Sequence, residues 1–302
     1  MTSASASPAL PQESRSGAER PFAAIALVLL AVALFSVMDA LSKLMAERFD
    51  PAEVVWGRYL AILLLLATPM LRRPRRLVPT RPRLQLLRGV LVLGAALLFV
   101  AGLQRLALAD ATAIAFVSPL LVTALSIPLL GEQVGVRRWS AVAVGFVGVL
   151  VVIRPGSGAI GIAALLPLSS ASCWALAIVL TRRMGHTDAP LTTLFYSSLV
   201  GFVLSAAALP LVWQTPRAID WAMLAAMGLL SATSQYLFIL GLARGAASLL
   251  ASFSYSQIVW STTMGFLVFG SVPTAWTWAG AALIVGSGLY VAHRERVRAR
   301  QR

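Results

Sequence analysis

The sequence predicts an all-α integral membrane protein whose ten transmembrane helices form two inverted repeats of five helices. Three observations lead to this prediction. First, 59% of the 302 residues are hydrophobic and only 12% are charged, whereas about a quarter of the residues in a soluble domain are charged. Second, the apolar residues form ten continuous runs, each long enough to cross a bilayer as a helix and unlike the alternating segments of a membrane barrel. Third, the second half of the sequence repeats the first.

The apolar runs define the helices in chain order. The first five helices are predicted at 22–46, 51–71, 84–105, 110–131 and 136–153, and the second five at 158–181, 190–213, 218–243, 247–270 and 274–292. The Arg-Pro-Gly-Ser-Gly segment at 154–158 is the predicted linker between the two domains, 22–153 and 158–292. Residues 1–21 are rich in Ser, Ala and Pro and predict a disordered tail. Residues 293–302 predict a basic tail.

The arginines indicate the orientation of the helices. With a cytoplasmic N-terminus, the inside segments contain nineteen arginines and the outside segments contain four. By the positive-inside rule, both termini are therefore predicted to be cytoplasmic. This rule also explains the net charge of +14, so we expect no nucleic-acid partner. The basic run at 71–77 is also placed to contact anionic lipid head groups.

An internal repeat relates the two halves. A shift of 139 residues places residues 99–151 on 238–290 without a gap. The matches are Phe99 with Phe238, Gly102 with Gly241, Leu103 with Leu242, Gly131 with Gly270, Trp139 with Trp278, and Ala143 with Ala282. Because each half has an odd number of helices, the two copies are predicted to be inverted in the membrane. Inverted repeats are typical of alternating-access transporters, whose substrate site lies between the halves.

Four short stretches resemble a known family. They are Ala-Leu-Ala-Asp-Ala-Thr-Ala-Ile-Ala-Phe-Val-Ser-Pro at 107–119, Leu-Gly-Glu at 130–132, Arg-Pro at 154–155 and Val-Val-Trp-Gly-Arg-Tyr at 54–59. Together they resemble the EamA domain of the drug/metabolite transporter superfamily. The resemblance covers nearly the whole chain, about 22–292, as two EamA units. The second unit departs from the pattern, because Ile258 stands where Pro119 would repeat and Ser271 stands where Glu132 would repeat.

The resemblance implies a multi-pass protein of the bacterial inner membrane with ten helices, cytoplasmic termini and a central cavity. It also implies transport of small metabolites, commonly the export of amino acids, including aromatic ones by members of the YddG type. We therefore expect a secondary transporter or facilitator that exports amino acids. Uptake or exchange of another solute, such as a purine, an S-adenosyl compound or a carboxylate, is the first alternative. A membrane-embedded enzyme or lipid-handling protein is the second.

Three charged residues of the first two helices are candidates for substrate binding or gating. Asp39 and Lys43 are spaced i and i+4 with the acid first, which is the favourable order for a helical ion pair. Counted from Pro21, Asp39 lies about 27 Å along helix 1, and Arg58 is expected at a similar depth on helix 2. Ionisable groups inside a membrane usually have a partner and a function. The alternative for Lys43 and Arg58 is that both reach to the membrane surface.

The second half supplies aromatic and amide candidates for the same site. The amides are Gln235 and Gln257, and a buried amide needs several hydrogen-bond partners. The aromatic residues lie away from the predicted helix ends and are Trp174, Tyr196, Tyr236, Tyr255 and Trp260. Most of the Ser and Thr residues around them are expected to serve helix packing.

Two prolines interrupt predicted helix 4. Pro119 and Pro128 each remove a backbone donor, which makes this helix a candidate hinge. Kinks at proline are also common in membrane helices that do not move.

Other functions are disfavoured by the residue inventory. Cys173 is the only cysteine, which excludes an internal disulfide and any multi-cysteine metal site. His186 and His293 are the only histidines, and both fall outside the predicted helices. No P-loop or acidic metal cluster occurs, so we expect no enzyme activity, cofactor or metal, and a monomer in the bilayer. The acids Glu47, Asp50 and Glu53 are expected to form a solvated outer loop.

Overall fold

The computed structural model describes residues 21–72, 78–130, 136–154, 161–184, 188–244 and 253–300. Within these ranges all regular structure is helical, which confirms the all-α prediction. The N-terminal tail, the basic run at 73–77, Glu132 of the Leu-Gly-Glu turn and most of the 154–158 linker lie outside the described residues.

The described helices follow the apolar runs. In the first half they are α1 (Pro21–Ala46), α2 (Pro51–Leu71), α3 (Pro82–Leu103), α4 (Leu108–Ala115), α5 (Ser118–Leu130) and α6 (Val136–Ile153). In the second half a 3₁₀ turn (Gly161–Ala164) precedes α7 (Leu165–Met184), α8 (Pro190–Ala206), α9 (Leu209–Val212), α10 (Ala218–Arg244), α11 (Gln257–Phe269) and α12 (Ala275–Arg300). Proline starts α2, α3 and α8, a position where its missing N–H costs nothing.

Three predicted helices are divided, and one is longer than predicted. The predicted helix at 110–131 is broken at 116–117 into α4 and α5, and the predicted helix at 247–270 is broken at 255–256 before α11. The predicted helix at 190–213 contains a turn at 207–208 between α8 and α9. The helix α12 continues to Arg300, so the predicted basic tail extends a helix. Hydropathy runs cannot reveal the breaks at 116–117 and 207–208, because the residues there are as apolar as the flanking helices.

The 139-residue repeat relates nearly every described helix of one half to a helix of the other. The shift places Pro51 on Pro190, each the first residue of a helix, and places the start of α6 on the start of α12. It also places the break at 116–117 on the break at 255–256. Packing follows the same relation. The helix α1 is equivalent to α7, and α3 is equivalent to α10. Accordingly, α1 packs on α10 and α7 packs on α3. The two repeats are therefore structural copies that pack across each other.

The apolar surface of several helices is suited to a bilayer. Five helical segments of the described chain are long and apolar enough to cross a membrane, and three shorter apolar helices accompany them. The five are Ala23–Ala46, Pro51–Thr68, Pro82–Leu103, Leu108–Ser126 and Gly161–Thr181. Large apolar side chains such as Leu64 and Leu267 lie exposed on helix surfaces, where lipid would cover them.

Lys43 of α1 contacts a second helix of the first half, α3, and one helix of the second half, α11. Its Nζ donates to the carbonyl oxygens of Leu103 at 2.6 Å and Leu106 at 2.7 Å, at the C-terminal end of α3, where a positive charge is favoured. The ammonium group also lies 5.4 Å from the ring centroid of Phe269 in α11. The ammonium group of Lys43 is therefore held by the end of α3 and does not form the ion pair with Asp39 that the sequence suggested.

Replacing Lys43 with methionine should destabilise the protein. The change keeps the apolar stem but leaves two carbonyl oxygens without their charged donor, at an expected cost of about 1–3 kcal/mol. Denaturant unfolding of the purified protein in detergent measures the cost. The control is Arg105→Met, which removes an exposed charge from the loop after α3. Equal stability of the two variants would contradict the assigned role of Lys43.

Candidate functional site

The two helix breaks lie against each other at the junction of the repeats. Phe116 and Tyr255 occupy equivalent positions, 139 residues apart, and their ring centroids are 5.3 Å apart. Tyr255 is buried, and its hydroxyl group packs against Gly288 of α12. Helix α5 begins directly after the first break and α11 directly after the second. Two helix N-termini, which attract anionic groups, are therefore placed next to an aromatic pair.

A buried carboxylate connects α1 to the second break. Asp39 is 6% exposed, and its Oδ2 accepts a hydrogen bond from Nε2 of Gln257 at 3.3 Å. Gln257 is the first residue of α11. One turn earlier on α1, the hydroxyl of Ser36 lies 3.4 Å from the Gln257 carbonyl oxygen and 3.4 Å from the Ser261 hydroxyl. The acidic group is thus held at the start of a half-helix.

Arg58 of α2 completes the polar cluster. Its guanidinium is buried, lies near enough to Asp39 to interact with it electrostatically, and contacts the sulfur of Met38 at 4.0 Å. The Nε atom of Arg58 is buried and has no hydrogen-bond partner among the described residues. Since Arg58 is buried, it does not reach to the membrane surface. A cation and an anion therefore share one buried site, with donors left over for a ligand.

The remaining sequence candidates do not join this cluster. Gln235 donates to Ser231 within its own helix at 3.3 Å, and Tyr196 packs edge-on to its neighbour Phe195. The side chains of three aromatic candidates are exposed on helix surfaces: Trp174, Tyr236 and Trp260. Asp39, Arg58, Tyr255 and Gln257 are the candidates that the fold gathers around the helix breaks.

The predicted hinge prolines both follow the first break, Pro119 two residues after it and Pro128 eleven residues after it. Pro119 is the second residue of α5, in the first turn, where a proline does not interrupt a helix. Pro128 lies inside α5. The break in the second repeat occurs without a proline, since Ile258 replaces Pro119 there. Phe116 was not a candidate from the sequence, although its repeat partner Tyr255 was.

A second polar cluster joins the repeats at the end predicted to be cytoplasmic. Arg88 of α3 donates from Nε to the Thr181 hydroxyl at 2.7 Å and from Nη1 to the Ser197 hydroxyl. One turn earlier, Gln85 donates to Asp188 at 2.8 Å and to Thr193 at 3.0 Å. In the sequence, Arg88 counts only as one of the nineteen arginines of the inside segments, which indicate the orientation in the membrane. The structure shows that it also links α3 to α7 and α8.

Asp188, in the loop between α7 and α8, accepts hydrogen bonds from Gln85 and from the backbone N–H of Thr80. Partial burial acts to raise the pKa of Asp188, but these hydrogen bonds and the charge of Arg81 more than offset it and lower the pKa. The carboxylate is therefore stabilised in its charged form where it holds the two repeats together.

At the opposite end, ion pairs and one buried acid connect the repeats. Arg48 pairs with Asp220 at 2.9 Å, and Arg217 pairs with the same carboxylate at 3.2 Å. Asp110 of α4 accepts a hydrogen bond from Thr277 of α12 at 2.6 Å. Glu53 is only 2% exposed, so the prediction that it belongs to a solvated loop was wrong. Among the described residues, no group of three His, Cys, Asp or Glu side chains could hold a metal ion.

Comparison with known proteins agrees with this architecture. The model of the EamA-like transporter family matches residues 22–154 and again 161–292. A riboflavin transporter of Rhizobium johnstonii is 30% identical over 286 residues, which are 92% of this chain and 93% of that protein. An S-adenosylmethionine uptake transporter of Rickettsia prowazekii is 27% identical over 271 residues, which are 89% of this chain and 92% of that protein.

Two further comparisons cover almost the full length. The pseudopaline exporter CntI of Pseudomonas aeruginosa is 30% identical over 270 residues, or 86% of this chain and 93% of that protein. A crystal structure of a protein that is 22% identical superposes with a TM-score of 0.65 over 90% of this chain and 98% of that one. This last match supports the fold alone.

Proposed function

The chain belongs to the EamA-like transporter family, and from this membership we propose that it carries a small amphipathic metabolite across the bacterial inner membrane by alternating access. The observation that carries the proposal is the meeting of the two helix breaks, where Phe116 contacts Tyr255 and Asp39 binds Gln257. A site shared by two structural repeats can open to one side of the membrane and then to the other when the repeats rock against each other.

The proposed topology has ten membrane helices and both termini in the cytoplasm. The broken pairs α4–α5 and α8–α9 each count as one crossing, and so does the helix that ends in α11. Support comes from the 139-residue relation between the halves and from the nineteen arginines on the inside against four on the outside.

Amino acids, including aromatic ones, are the first candidate substrates, and export is the first candidate direction. In this proposal Arg58 and the N-terminus of α5 or α11 bind the carboxylate, and Asp39 and Gln257 bind the ammonium group. Phe116 and Tyr255 would pack against an apolar or aromatic side chain. The zwitterion would thus meet one buried group of each sign, which compensates for its loss of water.

Uptake of a ring-bearing or charged solute is the second candidate function. The name of the S-adenosylmethionine uptake transporter supports uptake, and that of the riboflavin transporter supports a ring-bearing solute. The pseudopaline exporter supports a solute other than a common amino acid but has the opposite direction. The same cluster offers such a solute polar groups beside an aromatic pair. The three relatives named above are transporters, so they give no support to the enzyme alternative.

Counterflow into proteoliposomes tests both candidates. Vesicles are loaded with phenylalanine, tryptophan, threonine or methionine in one series, and with riboflavin, S-adenosylmethionine, adenine or succinate in the other. We expect protein-dependent exchange of at least one compound, and a run with and without a pH gradient shows whether protons are coupled. Exchange only in the second series would remove the amino-acid candidate. Absence of exchange in both series would contradict the proposed substrate classes.

A further inference from the structure

Two polar contacts join the repeats at opposite ends of the helix bundle. At the end predicted to face outward, the carboxylate of Asp220 binds Nη1 of Arg48 at 2.9 Å. At the end predicted to be cytoplasmic, the carboxylate of Asp188 accepts hydrogen bonds from the backbone N–H of Thr80 and the side-chain amide of Gln85, each at 2.8 Å. We call these contacts the outer link and the inner link. Each of them runs from the first repeat to the second.

The 139-residue relation makes the two links equivalent. The outer link joins the loop before α2 to the start of α10, and the inner link joins the loop before α8 to the segment that starts α3. Arg81 occupies the position equivalent to Asp220, and its charge acts on Asp188. Nη1 of Arg81 also donates to the carbonyl oxygen of Arg183, in the last turn of α7, at 3.1 Å. The same contact of the repeat therefore occurs at both ends with its charges exchanged.

The two links oppose a rocking motion of the repeats in opposite directions. Between the two ends, the repeats also touch at the helix breaks, where Phe116 contacts Tyr255. When two repeats rock about such a contact, they separate at the end that opens and stay together at the end that closes. Opening of either end therefore requires that the link at that end breaks.

The environments of the two links differ. The side chain of Arg48 is 40% exposed, and Arg48 lines a cleft of about 440 Å³ at the outer end. Water can compete for this guanidinium group, and exposed ion pairs contribute little to stability. Gln85 of the inner link is fully buried, and a hydrogen bond to a charged group is strong where water does not compete for it. The inner link is therefore the harder one to break.

We propose that the outer link and the inner link are the two gates of the transport cycle, and that the outer gate opens more readily, so that the resting protein favours a closed cytoplasmic end. The inference rests on the proposed function, because it assumes that the repeats rock against each other. It deepens that function by assigning the side chains that set the balance between the two conformations. A change that weakens one link should shift the population towards the state that is open at that end.

Distances between spin labels measure the opening of each end directly. In a background with Cys173→Ser, labelled cysteines in place of Glu47 and Ile219 report on the outer end, and labelled cysteines in place of Arg83 and Arg183 report on the inner end. All four positions are exposed, and each pair spans the two repeats. Double electron–electron resonance on the full chain in nanodiscs, without any solute, gives the distance distribution at each end. In the wild type, the share of distances longer than those of this structure should be larger at the outer end.

One variant weakens each link without changing the other. Arg48→Met removes the outer ion pair but leaves Asp220 its contacts with Arg217, and the share of long distances at the outer end should rise at least about threefold. Asp188→Ala removes the acceptor of the inner link and should have an effect at least as large at the inner end. Neither variant should open the other end. The matched control is Arg105→Met, which removes an exposed arginine and should change neither distance.

Asp220→Asn is a second variant of the outer link. Asparagine still accepts the backbone N–H of Arg217 but carries no charge, so this variant should repeat the effect of Arg48→Met. The proposal is overturned if a link variant leaves the distances at its own end unchanged or opens both ends together. A larger share of long distances at the inner end of the wild type would overturn the assigned resting state. Because these measurements need no solute, ends that respond as expected in a protein without counterflow would contradict the proposed substrates but not the gates.

Discussion

Replacing Asp39 with asparagine is expected to lower the rate of solute counterflow by at least about tenfold. Asp39 is the buried acid that binds Gln257 at the second helix break, and Arg58 is its cationic neighbour. Asparagine keeps the shape and one acceptor, but it leaves the Arg58 charge uncompensated inside the bundle. An isolated buried charge is costly, so either Arg58 moves or the site no longer accepts its solute. Counterflow in proteoliposomes, at matched protein content, measures the effect.

The control for Asp39→Asn is Asp50→Asn. Asp50 accepts the N–H of Ala52 at 2.8 Å as the N-cap of α2, and asparagine is as good an N-cap as aspartate. The control therefore removes one carboxylate near the membrane surface without disturbing a helix, and its flux should match the wild type. If Asp39→Asn inserts normally and transports at the wild-type rate at every pH tested, Asp39 has no part in the transport cycle.

The positions of the helices could be predicted from the sequence because hydropathy is a local property. The helix α2 has the bounds that the apolar run predicted, and the start and end of α6 also agree. The breaks at 116–117 and 255–256 could not be placed in this way. Pro119 suggested the first break but lies after it, and the second break has no proline. What the two breaks share is their position in the repeat and their mutual contact, which are properties of the tertiary fold.

The site was predictable as a set of residue types but not as a set of contacts. Asp39 and Gln257 were each identified as buried polar groups, yet they are 218 residues apart and nothing local indicates that they touch. Lys43 was identified by its charge, but its actual acceptors are the backbone oxygens at the end of α3. Glu53 was misjudged because its carboxylate is bound by the backbone N–H of Gln214, which comes from the other repeat. Contacts between repeats thus decide the role of each charge.

Gly280→Ala is expected to destabilise the protein by about 1–3 kcal/mol through overpacking. Helices α6 and α12 are repeat equivalents and pack closely against each other. A Cβ atom on Gly280 would lie 2.5 Å from the carbonyl oxygen of Gly148 and 2.4 Å from a methyl group of Val152. The oxygen belongs to the backbone of a helix, so the strain can be relieved only if the two helices separate. Thermal unfolding in detergent should show a lowered midpoint.

The matched control is Gly286→Ala on the same helix, since a Cβ atom there would have no neighbour within 4 Å. Alanine also has the higher helix propensity, so this variant should be as stable as the wild type or slightly more stable. Gly280→Ala changes no charge, in contrast to Asp39→Asn. The effect of Gly280→Ala on the transport rate depends on whether α6 and α12 move as one body. If they do, the variant should lose stability but keep its flux per folded molecule. Equal midpoints for the two glycine variants would show that α6 and α12 do not pack as closely as the structure has them.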